Sequence, residues 1–186
     1  KKYLTNNTLL IISPNNPEAM VKYAKEAISS RTPYLFDPAF NIPHLTHADL
    51  GFAVKNSSIV IGNDYGIELI QRKLGWSKAK LRKNVTILIT TLGSKGSRIE
   101  SKGKIIRIPA AKPLNESDPT GAGDAYRAGF IAGYVQGVSL DMCGRMGSVA
   151  AAYTVEKYGT QTHFYSLKQF KKRYFENFKE NLKSGY

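Results

Sequence analysis

Residues 58–93, SIVIGNDYGIELIQRKLGWSKAKLRKNVTILITTLG, hold two short apolar runs separated by a segment with helical character. We predict a strand in residues 58–63, a helix in 64–75 and a second, stronger strand in 84–93. A helix between two buried strands is typical of a crossover connection in a parallel sheet. This stretch therefore predicts an α/β fold.

The alternation of strand and helix extends towards the N-terminus. Apolar runs at 8–13 and 33–37 are typical of strands, and helical patterns cover 16–30 and 45–57. The first of these helices has Asn at its start and Pro at its first position, which is a common way to begin a helix. The β-α-β-α-β order predicts a doubly wound, mainly parallel sheet within a three-layer α/β/α fold.

Towards the C-terminus the pattern changes. The runs GSRIES (96–101) and GKIIRIPA (103–110) lie close together around Gly103, which predicts a hairpin and so an antiparallel edge to the sheet. From Gly121 onward the signal is almost wholly helical. No internal repeat or low-complexity linker divides the sequence, so we expect a single domain over residues 1–186.

The composition is typical of a globular protein from a reducing compartment. Hydrophobic residues make up 42% of the chain, and a single cysteine, Cys143, excludes an intrachain disulfide. The apolar run at residues 9–12 is far too short to span a membrane. We therefore expect a cytoplasmic protein with no membrane partner.

The formal net charge is +13. Such a balance attracts anions, among them nucleotides, phosphorylated metabolites, nucleic acids and acidic membranes. Positive residues cluster in LKQFKKRYFENFKENLK (167–183), where they alternate with aromatic residues at helical spacing. We interpret this segment as an amphipathic helix with a solvated basic face, in preference to a nucleic-acid-binding stripe.

Four of the predicted strands end in polar residues. These ends are Ser13-Pro14-Asn15, Asp37-Pro38, Asn63-Asp64 and Thr91-Leu92-Gly93. Each end taken singly can be an ordinary helix cap or turn. Because ligands bind beyond the carboxyl ends of the strands in such sheets, four polar ends on one edge favour a cleft.

The segment ESDPTGAGDAYRAGFIAGYVQG (116–137) combines acidic residues with very small ones. Thr120 can cap a helix that begins at Gly121, and the small residues Gly121, Ala122 and Gly123 leave the first amides uncovered. An uncovered helix start with a positive dipole end is an anion site, and it suits a phosphoryl group in transfer. The alternative is a glycine-rich turn followed by a closely packed helix.

Asp124 lies one turn inside this predicted helix. A carboxylate there can orient a hydroxyl and accept its proton. The loop TTLGSKG (90–96) suits close passage along a nucleotide, although a hairpin turn explains it equally well. Neither GxxxxGK[ST] nor a helix-opening GxGxxG occurs, which excludes P-loop and dinucleotide-binding motifs. His44 and His47 lack a third ligand, so we do not expect a metal there.

Several of these motifs resemble those of one known family. DPTGAGDAYRAGF (118–130) closely resembles the C-terminal signature of the ribokinase-like, PfkB-type carbohydrate kinases, which include ribokinase, fructokinases and adenosine kinases. TLGSKGS (91–97) resembles the family's nucleotide-side loop, and NDYGIELI (63–70) its central asparagine motif. GSVAAAYTVEKYGTQTH (147–163) is most similar to the bacterial and archaeal branch of adenosine kinases, nucleoside kinases and unassigned sugar kinases. The resemblance covers nearly all of the chain.

The resemblance implies roles for residues that match the family's motifs. The catalytic base falls on Asp124, and the anion hole on the backbone of Gly121, Ala122 and Gly123. The loop against ATP matches Thr91, Gly93 and Gly96.

Further roles concern the rest of the nucleotide and its cations. Gly159 falls near the adenine, and Asn63 matches the residue that helps to position Mg²⁺ and the phosphates. The monovalent-cation site of many members, which takes K⁺, matches Asp118, the backbone of Thr120 and Gly159.

Two departures from the family pattern stand out. The central motif normally reads Asn-x-x-Glu, but Gly66 stands at the glutamate position and Glu68 is displaced by two residues. This change predicts weaker metal use and slower turnover unless Glu68 substitutes. Family members also begin with a Gly-Gly sugar-binding motif and a small lid sheet. Since nothing here matches them, we expect the chain to be the C-terminal, nucleotide-binding and catalytic part.

The resemblance implies an ATP-dependent phosphotransferase that phosphorylates a hydroxyl of a sugar or nucleoside and uses Mg²⁺. Asn15 and Asp37 are candidate substrate contacts from their positions at strand ends. The alternative is a catalytically idle nucleotide-binding or assembly subunit, which Gly66 favours and the intact segment around Asp124 disfavours. In full-length members the lid often forms a homodimer contact. Binding of nucleic acid through the basic C-terminal helix is the least favoured hypothesis.

Overall fold

The computed structural model describes residues 4–182. Within that range the chain forms six strands and seven α-helices. The strands are β1 (Leu10–Ile12), β2 (Tyr34–Phe36), β3 (Ile59–Asn63), β4 (Ile87–Thr91), β5 (Ser97–Ser101) and β6 (Lys104–Ile108). The helices are α1 (Pro17–Ser29), α2 (His47–Asn56), α3 (Asp64–Leu74), α4 (Lys78–Asn84), α5 (Ala122–Val135), α6 (Leu140–Val155) and α7 (Leu167–Phe178).

The six strands form one sheet in the order β1-β2-β3-β4-β5-β6. Strands β1 to β4 pair in parallel, with Ile11 opposite Leu35 and Val60 opposite Leu88. Lys102, with φ 48°, and the glycine after it, with φ 76°, form the two-residue turn of a hairpin between β5 and β6. The predicted mainly parallel α/β fold with an antiparallel edge and a helical C-terminus is confirmed.

Polar side chains fix the starts of the first four helices. Asn16, Thr46, Asn63 and Ser77 each accept a hydrogen bond from a first-turn amide of the following helix. These caps satisfy amides that have no carbonyl partner within the helix, and each is worth about 1 kcal/mol. The predicted start of α1 at Asn16, with proline next, is confirmed.

Helix α4 is absent from the sequence-based prediction. Its seven residues, KAKLRKN, contain a single large apolar side chain, Leu81, which is fully buried. One apolar residue cannot produce the periodicity by which a helix is recognised. As a result, β4 begins at Ile87, three residues later than the predicted strand.

The described chain consists of two compact units. The first comprises residues 4–91 and 100–105, and the second comprises 92–99 and 106–182. Aliphatic and aromatic side chains from the first strands and helices form the core of the first unit, and they include Ile12, Met20, Tyr34, Phe36, Leu50, Val60, Ile70 and Leu88. In the second unit the core lies among the last helices and includes Met142, Met146, Val149, Phe170 and Tyr174.

Helices α5 and α6 pack with their backbones in close contact. A Cβ at Gly129 would lie 2.6 Å from the carbonyl oxygen of Met146, and one at Gly147 would lie 2.7 Å from that of Tyr126. Only glycine fits such an approach, because an added methyl group would force the helices apart. The closely packed helix, first considered as an alternative to a site, is therefore present, and it gives α5 a firm support.

Helix α7 is amphipathic, as the aromatic spacing predicts. Phe170 and Tyr174 are buried, whereas Lys168 and Lys172 are exposed. Arg173 departs from the expected basic face, because it is buried and pairs with a glutamate of the same unit. In the part of the chain that the structure describes, no helix is long and apolar enough to cross a membrane.

Candidate active site

Helix α5 starts at a glycine with a left-handed backbone. Gly121 is the N-cap residue with φ 84°, and a Cβ there would lie 3.1 Å from the side chain of Thr160. Thr120 makes no side-chain cap bond, so its prediction as the cap is wrong. The reason is that the Thr120 hydroxyl bonds to Asp118 instead.

The first turn of α5 presents backbone amides beneath open space. The amide of Ala122 already donates to the carbonyl oxygen of Pro119 at 3.1 Å. The next two amides, of Gly123 and Asp124, have no carbonyl partner within the helix. A Cβ at Gly123 would meet no atom within 4 Å, so a ligand can approach there. The predicted anion hole over Gly121, Ala122 and Gly123 stays a prediction. Of its amides, that of Gly123 is better placed to bind an anion than that of Ala122, which already has a partner.

Asp124 lies in the first turn of α5 with its carboxylate exposed. Nη2 of Arg127 donates to Oδ1 of Asp124 at 2.8 Å. The sequence-based prediction gave no role to Arg127, although three residues along a helix is the spacing at which side chains meet. If Asp124 is the general base, it works with the guanidinium of Arg127 bound to one of its carboxylate oxygens. The role of Asp124 itself stays a prediction.

Asp118 ties the segment before α5 to the segment after α6. Its Oδ1 accepts from the amide of Thr120 at 2.8 Å, and its Oδ2 accepts from the amide of Gly159 at 3.0 Å. The Thr120 hydroxyl and these two amides lower the pKa of the Asp118 carboxyl, because each bond favours the charged form. The three residues predicted for the monovalent cation thus lie together, while the cation itself stays a prediction.

The loop after β4 contains two glycines in different surroundings. Gly93 has φ 59° and open space around it, whereas a Cβ at Gly96 would lie 1.9 Å from the carbonyl oxygen of Ile108. Gly96 is therefore required by packing, whatever its role towards a nucleotide. The predicted contacts of Gly93 and Gly96 with ATP remain predictions.

A buried pair of hydroxyls joins β5 to α5 within the second unit. The hydroxyls of Ser97 and Tyr126 lie 2.7 Å apart, and both residues are buried. Burial raises the pKa of the Tyr126 hydroxyl to about 12, so this group stays protonated at neutral pH. This link fixes the end of the glycine loop against the helix that carries Asp124, and sequence motifs gave no signal for it.

In the first unit, Asn63 and Thr91 lie opposite each other at the carboxyl ends of β3 and β4. Oδ1 of Asn63 accepts from the amide of Gly66 at 2.7 Å, so this oxygen caps α3. Glu68 lies on the exposed side of α3 and pairs with Arg72. The predicted roles of Asn63, Thr91 and Glu68 towards phosphates and metal are not tested by these contacts.

Asn15 and Asp37 follow the two neighbouring strands, β1 and β2. Oδ1 of Asn15 accepts from the amide of Asn16 at 2.7 Å, and the amide of Asp37 donates to the carbonyl oxygen of Ile12 at 2.9 Å. The carboxyl ends of β1, β2, β3 and β4 thus share one edge of the sheet in this unit, where Asn15, Asp37, Asn63 and Thr91 lie at or just beyond them. Contact of Asn15 and Asp37 with a substrate remains a prediction.

No group of three or more His, Cys, Asp or Glu side chains could hold a metal ion within residues 4–182. Magnesium is commonly bound through one or two carboxylates together with the phosphates of a ligand, so it does not need such a group. The residues predicted to position Mg²⁺, Asn63 and Glu68, carry amide and carboxylate oxygens, which fit this chemistry. At Asp118 the carboxylate accepts from two amides and the Thr120 hydroxyl and still keeps a lone pair, which fits a monovalent cation.

Comparison with known proteins places these features in a family. The family described as pfkB family carbohydrate kinase matches residues 1–166. The nucleoside kinase of Methanocaldococcus jannaschii is 36% identical over 158 residues, which make up 85% of this chain and 52% of that protein. The chain thus spans about half the length of the curated relatives it matches.

Solved structures show the same similarity. The nucleoside kinase of Burkholderia thailandensis in complex with inosine superposes with a TM-score of 0.92 and 29% identity, over 94% of this chain and 58% of that one. The same kinase in complex with ADP-inosine gives a TM-score of 0.91, also at 29% identity, over 96% of this chain and 57% of that one. The ribokinase-like resemblance in the sequence motifs, including its nucleoside kinase branch, is confirmed.

Proposed function

Since the chain belongs to the pfkB family of carbohydrate kinases, we propose that the protein transfers the γ-phosphoryl group of ATP to a hydroxyl of a nucleoside or sugar. One observation carries this proposal: an exposed carboxylate, Asp124, lies in the first turn of a helix whose start is open to a ligand. A phosphate at that helix start and a hydroxyl beside Asp124 would be neighbours.

Asp124 acts as the general base in this proposal. An electron pair of the acceptor hydroxyl oxygen forms the bond to the γ-phosphorus, while the hydroxyl proton passes to the carboxylate. The bond from the γ-phosphorus to the bridging oxygen breaks, and ADP leaves with that electron pair. In the predicted anion hole of Gly121, Ala122 and Gly123, the open amide of Gly123 and the positive end of the α5 dipole stabilise the charge on the phosphoryl oxygens.

The nucleotide is proposed to lie along the loop after β4. Thr91, Gly93 and Gly96 would pass against ATP, and the open space around Gly93 supports such an approach. Gly159 would lie near the adenine.

Two cations belong to the proposal. Mg²⁺ on the ATP phosphates would neutralise charge that develops during transfer. Asn63 is proposed to help position this ion. Gly66 stands where the family has a glutamate, and Glu68 is the candidate to supply the missing carboxylate. Glu68 would first have to break its ion pair with Arg72. K⁺ is proposed at Asp118, the backbone of Thr120 and Gly159.

A nucleoside is the favoured acceptor. The relatives at 36% and 29% identity are named as nucleoside kinases, and one of them is described in complex with inosine. Asn15 and Asp37 are the residues proposed to contact the acceptor. The proposal also includes one nucleotide-binding and catalytic domain over residues 1–186, a cytoplasmic location, and a homodimer in the full-length enzyme.

The first experiment measures ADP release from MgATP over a panel of inosine, adenosine, cytidine, ribose and fructose. Replacing Asp124 by Asn should reduce turnover by about 100-fold or more, because a general base contributes factors of this order. Binding of ATP should change less than about threefold, since the carboxylate acts on the acceptor.

The matched control is Asp141→Asn. Asp141 also lies in the first turn of a helix and pairs with an arginine one turn on, but it belongs to α6. It should keep wild-type turnover. Equal activity in Asp124→Asn and wild type would exclude Asp124 as the base, and ATP binding without turnover on any acceptor would favour the idle subunit.

A further inference from the structure

The partner of Asp124 is a cation that the fold holds in place. Nη2 of Arg127 lies 2.8 Å from Oδ1 of Asp124, and both residues belong to α5. The Arg127 side chain is 13% exposed, whereas that of Asp124 is 69% exposed. The surrounding residues therefore restrict the guanidinium of Arg127, whereas the carboxylate of Asp124 reaches solvent. It follows that Arg127 holds Asp124 in position, and not the reverse.

Two other helical ion pairs in this chain are exposed on both sides. Arg72 and Glu68 on α3 are 72% and 57% exposed, and Lys172 and Glu176 on α7 are 77% and 55% exposed. Such pairs add little to stability, because solvent screens both charges. A mostly buried guanidinium gains little more from an exposed carboxylate, since its desolvation offsets the attraction. Stability alone is thus a weak explanation for the pair at Asp124.

We propose that Arg127 is the positioning residue for the base. It holds the carboxylate through Oδ1 and thereby presents Oδ2 to the acceptor hydroxyl. This inference rests on the proposed function, in which Asp124 takes the hydroxyl proton. In the transfer step the proton moves from the hydroxyl oxygen to Oδ2, the oxygen–phosphorus bond forms, and the bond from phosphorus to ADP breaks.

The charge of Arg127 has a second effect at the same place. A carboxylate and a phosphoryl group near one helix start repel each other, and a guanidinium beside the carboxylate reduces that repulsion. The planar guanidinium also fixes the direction of its hydrogen bond, which a flexible ammonium group does less well. Lysine should therefore keep the charge effect and lose part of the orientation.

The test uses two substitutions at this position and one control. Arg127→Met removes the charge at similar length, and Arg127→Lys keeps it. Arg145→Met is the control, because Arg145 is 20% exposed and pairs at 2.8 Å with Asp141 one turn earlier on α6. For each protein, kcat and KM for ATP and for the nucleoside are measured, together with the melting temperature.

We expect Arg127→Met to lower kcat by about 10- to 100-fold while KM for ATP stays within about twofold, as for the loss of a group that orients a base. Arg127→Lys should recover kcat to within about fivefold of wild type. Arg145→Met should keep kcat, even where its melting temperature falls further.

Three results would overturn the inference. An Arg127→Met kcat within twofold of wild type removes the positioning role and leaves the proposed function intact. Equal losses in Arg127→Met and Arg145→Met, in step with melting temperature, assign Arg127 a structural role only. A wild-type protein that binds ATP but transfers phosphoryl to no acceptor overturns the proposed function, and this inference with it.

Discussion

At the level of single residues, the two glycines of the loop after β4 are glycine for different reasons. Gly93 has room around it, while Gly96 lies directly against the backbone at Ile108. In sequence the two look alike, because TLGSKG shows only that the loop is rich in glycine. The distinction depends on β6, whose residue Ile108 contacts Gly96 from twelve positions further along the chain.

Replacing Gly96 by Ala should lower the free energy of unfolding by about 3 kcal/mol or more. Alanine is strained at a φ of 84°, and its Cβ would have to displace the carbonyl of Ile108. Denaturant unfolding measures the change.

The matched control for that substitution is Gly103→Ala. Gly103 also has a positive φ, 76°, but a Cβ there would meet no atom within 4 Å. It should cost only about 1 kcal/mol, the strain alone. Similar losses in the free energy of unfolding at both positions would show that the backbone at Ile108 moves aside at little cost.

At the level of elements, α7 supports the segment that leads to the candidate site. Glu156 at the end of α6 accepts from the amide of Leu114 at 2.6 Å and also from the buried Arg173 of α7. Asn177, one turn further along α7, accepts from the amide of Lys112 at 2.7 Å. The segment before Asp118 is thus held by side chains of the last two helices.

Arg173→Met should lower the free energy of unfolding by about 3 kcal/mol, because it leaves the carboxylate of Glu156 buried without its cation. Lys172→Met, at the next position of α7, breaks an exposed pair 3.7 Å long and should cost less than about 0.5 kcal/mol. Thermal and denaturant unfolding of both variants provide the comparison. A small loss of stability for Arg173→Met would mean that water solvates the carboxylate of Glu156 once the guanidinium is removed.

Several elements could be predicted from the sequence, and the exceptions have physical reasons. Strand β3 and helix α3 could be predicted from their apolar pattern and from the cap between them. Helix α4 could not, because a single large apolar side chain produces no periodicity. The position of Asp124 in the first turn of α5 follows from the glycine-rich motif. Its link to Arg127 has the spacing of neighbouring side chains on a helix, which the sequence shows. The bond between Tyr126 and Ser97 depends on side-chain packing, which no motif encodes.

At the scale of the whole molecule, the carboxyl of Asp118 should contribute to acid sensitivity. Its pKa is lower in the folded state than in the unfolded chain, because the Thr120 hydroxyl and the amides of Gly159 and Thr120 bond to its charged form. The resulting stability is present above the unfolded pKa, near 4, and is lost as pH falls through the folded pKa.

Asp118→Asn should therefore be less stable than wild type at pH 7, and the difference should shrink as pH falls below about 4. Unfolding midpoints measured from pH 7 down to pH 3 test this expectation. A gap between the two proteins that stays constant over that range would show that the hydrogen bonds, and not the ionisation, provide the stability.

The last strand of the sheet order, β6, has a sheet neighbour on one side only among the described residues. Its residues Lys104 and Arg107 are exposed, and Lys102 precedes it in the hairpin turn. A second copy of the chain that paired with β6 would bring its own three cations close to these, and like charges repel each other. Without these charges, the exposed side chain of Ile105 would favour association of β6 with apolar surfaces of other molecules. Positive charge on an edge strand opposes its pairing with a strand of another molecule, so the charges of this hairpin disfavour edge-to-edge aggregation.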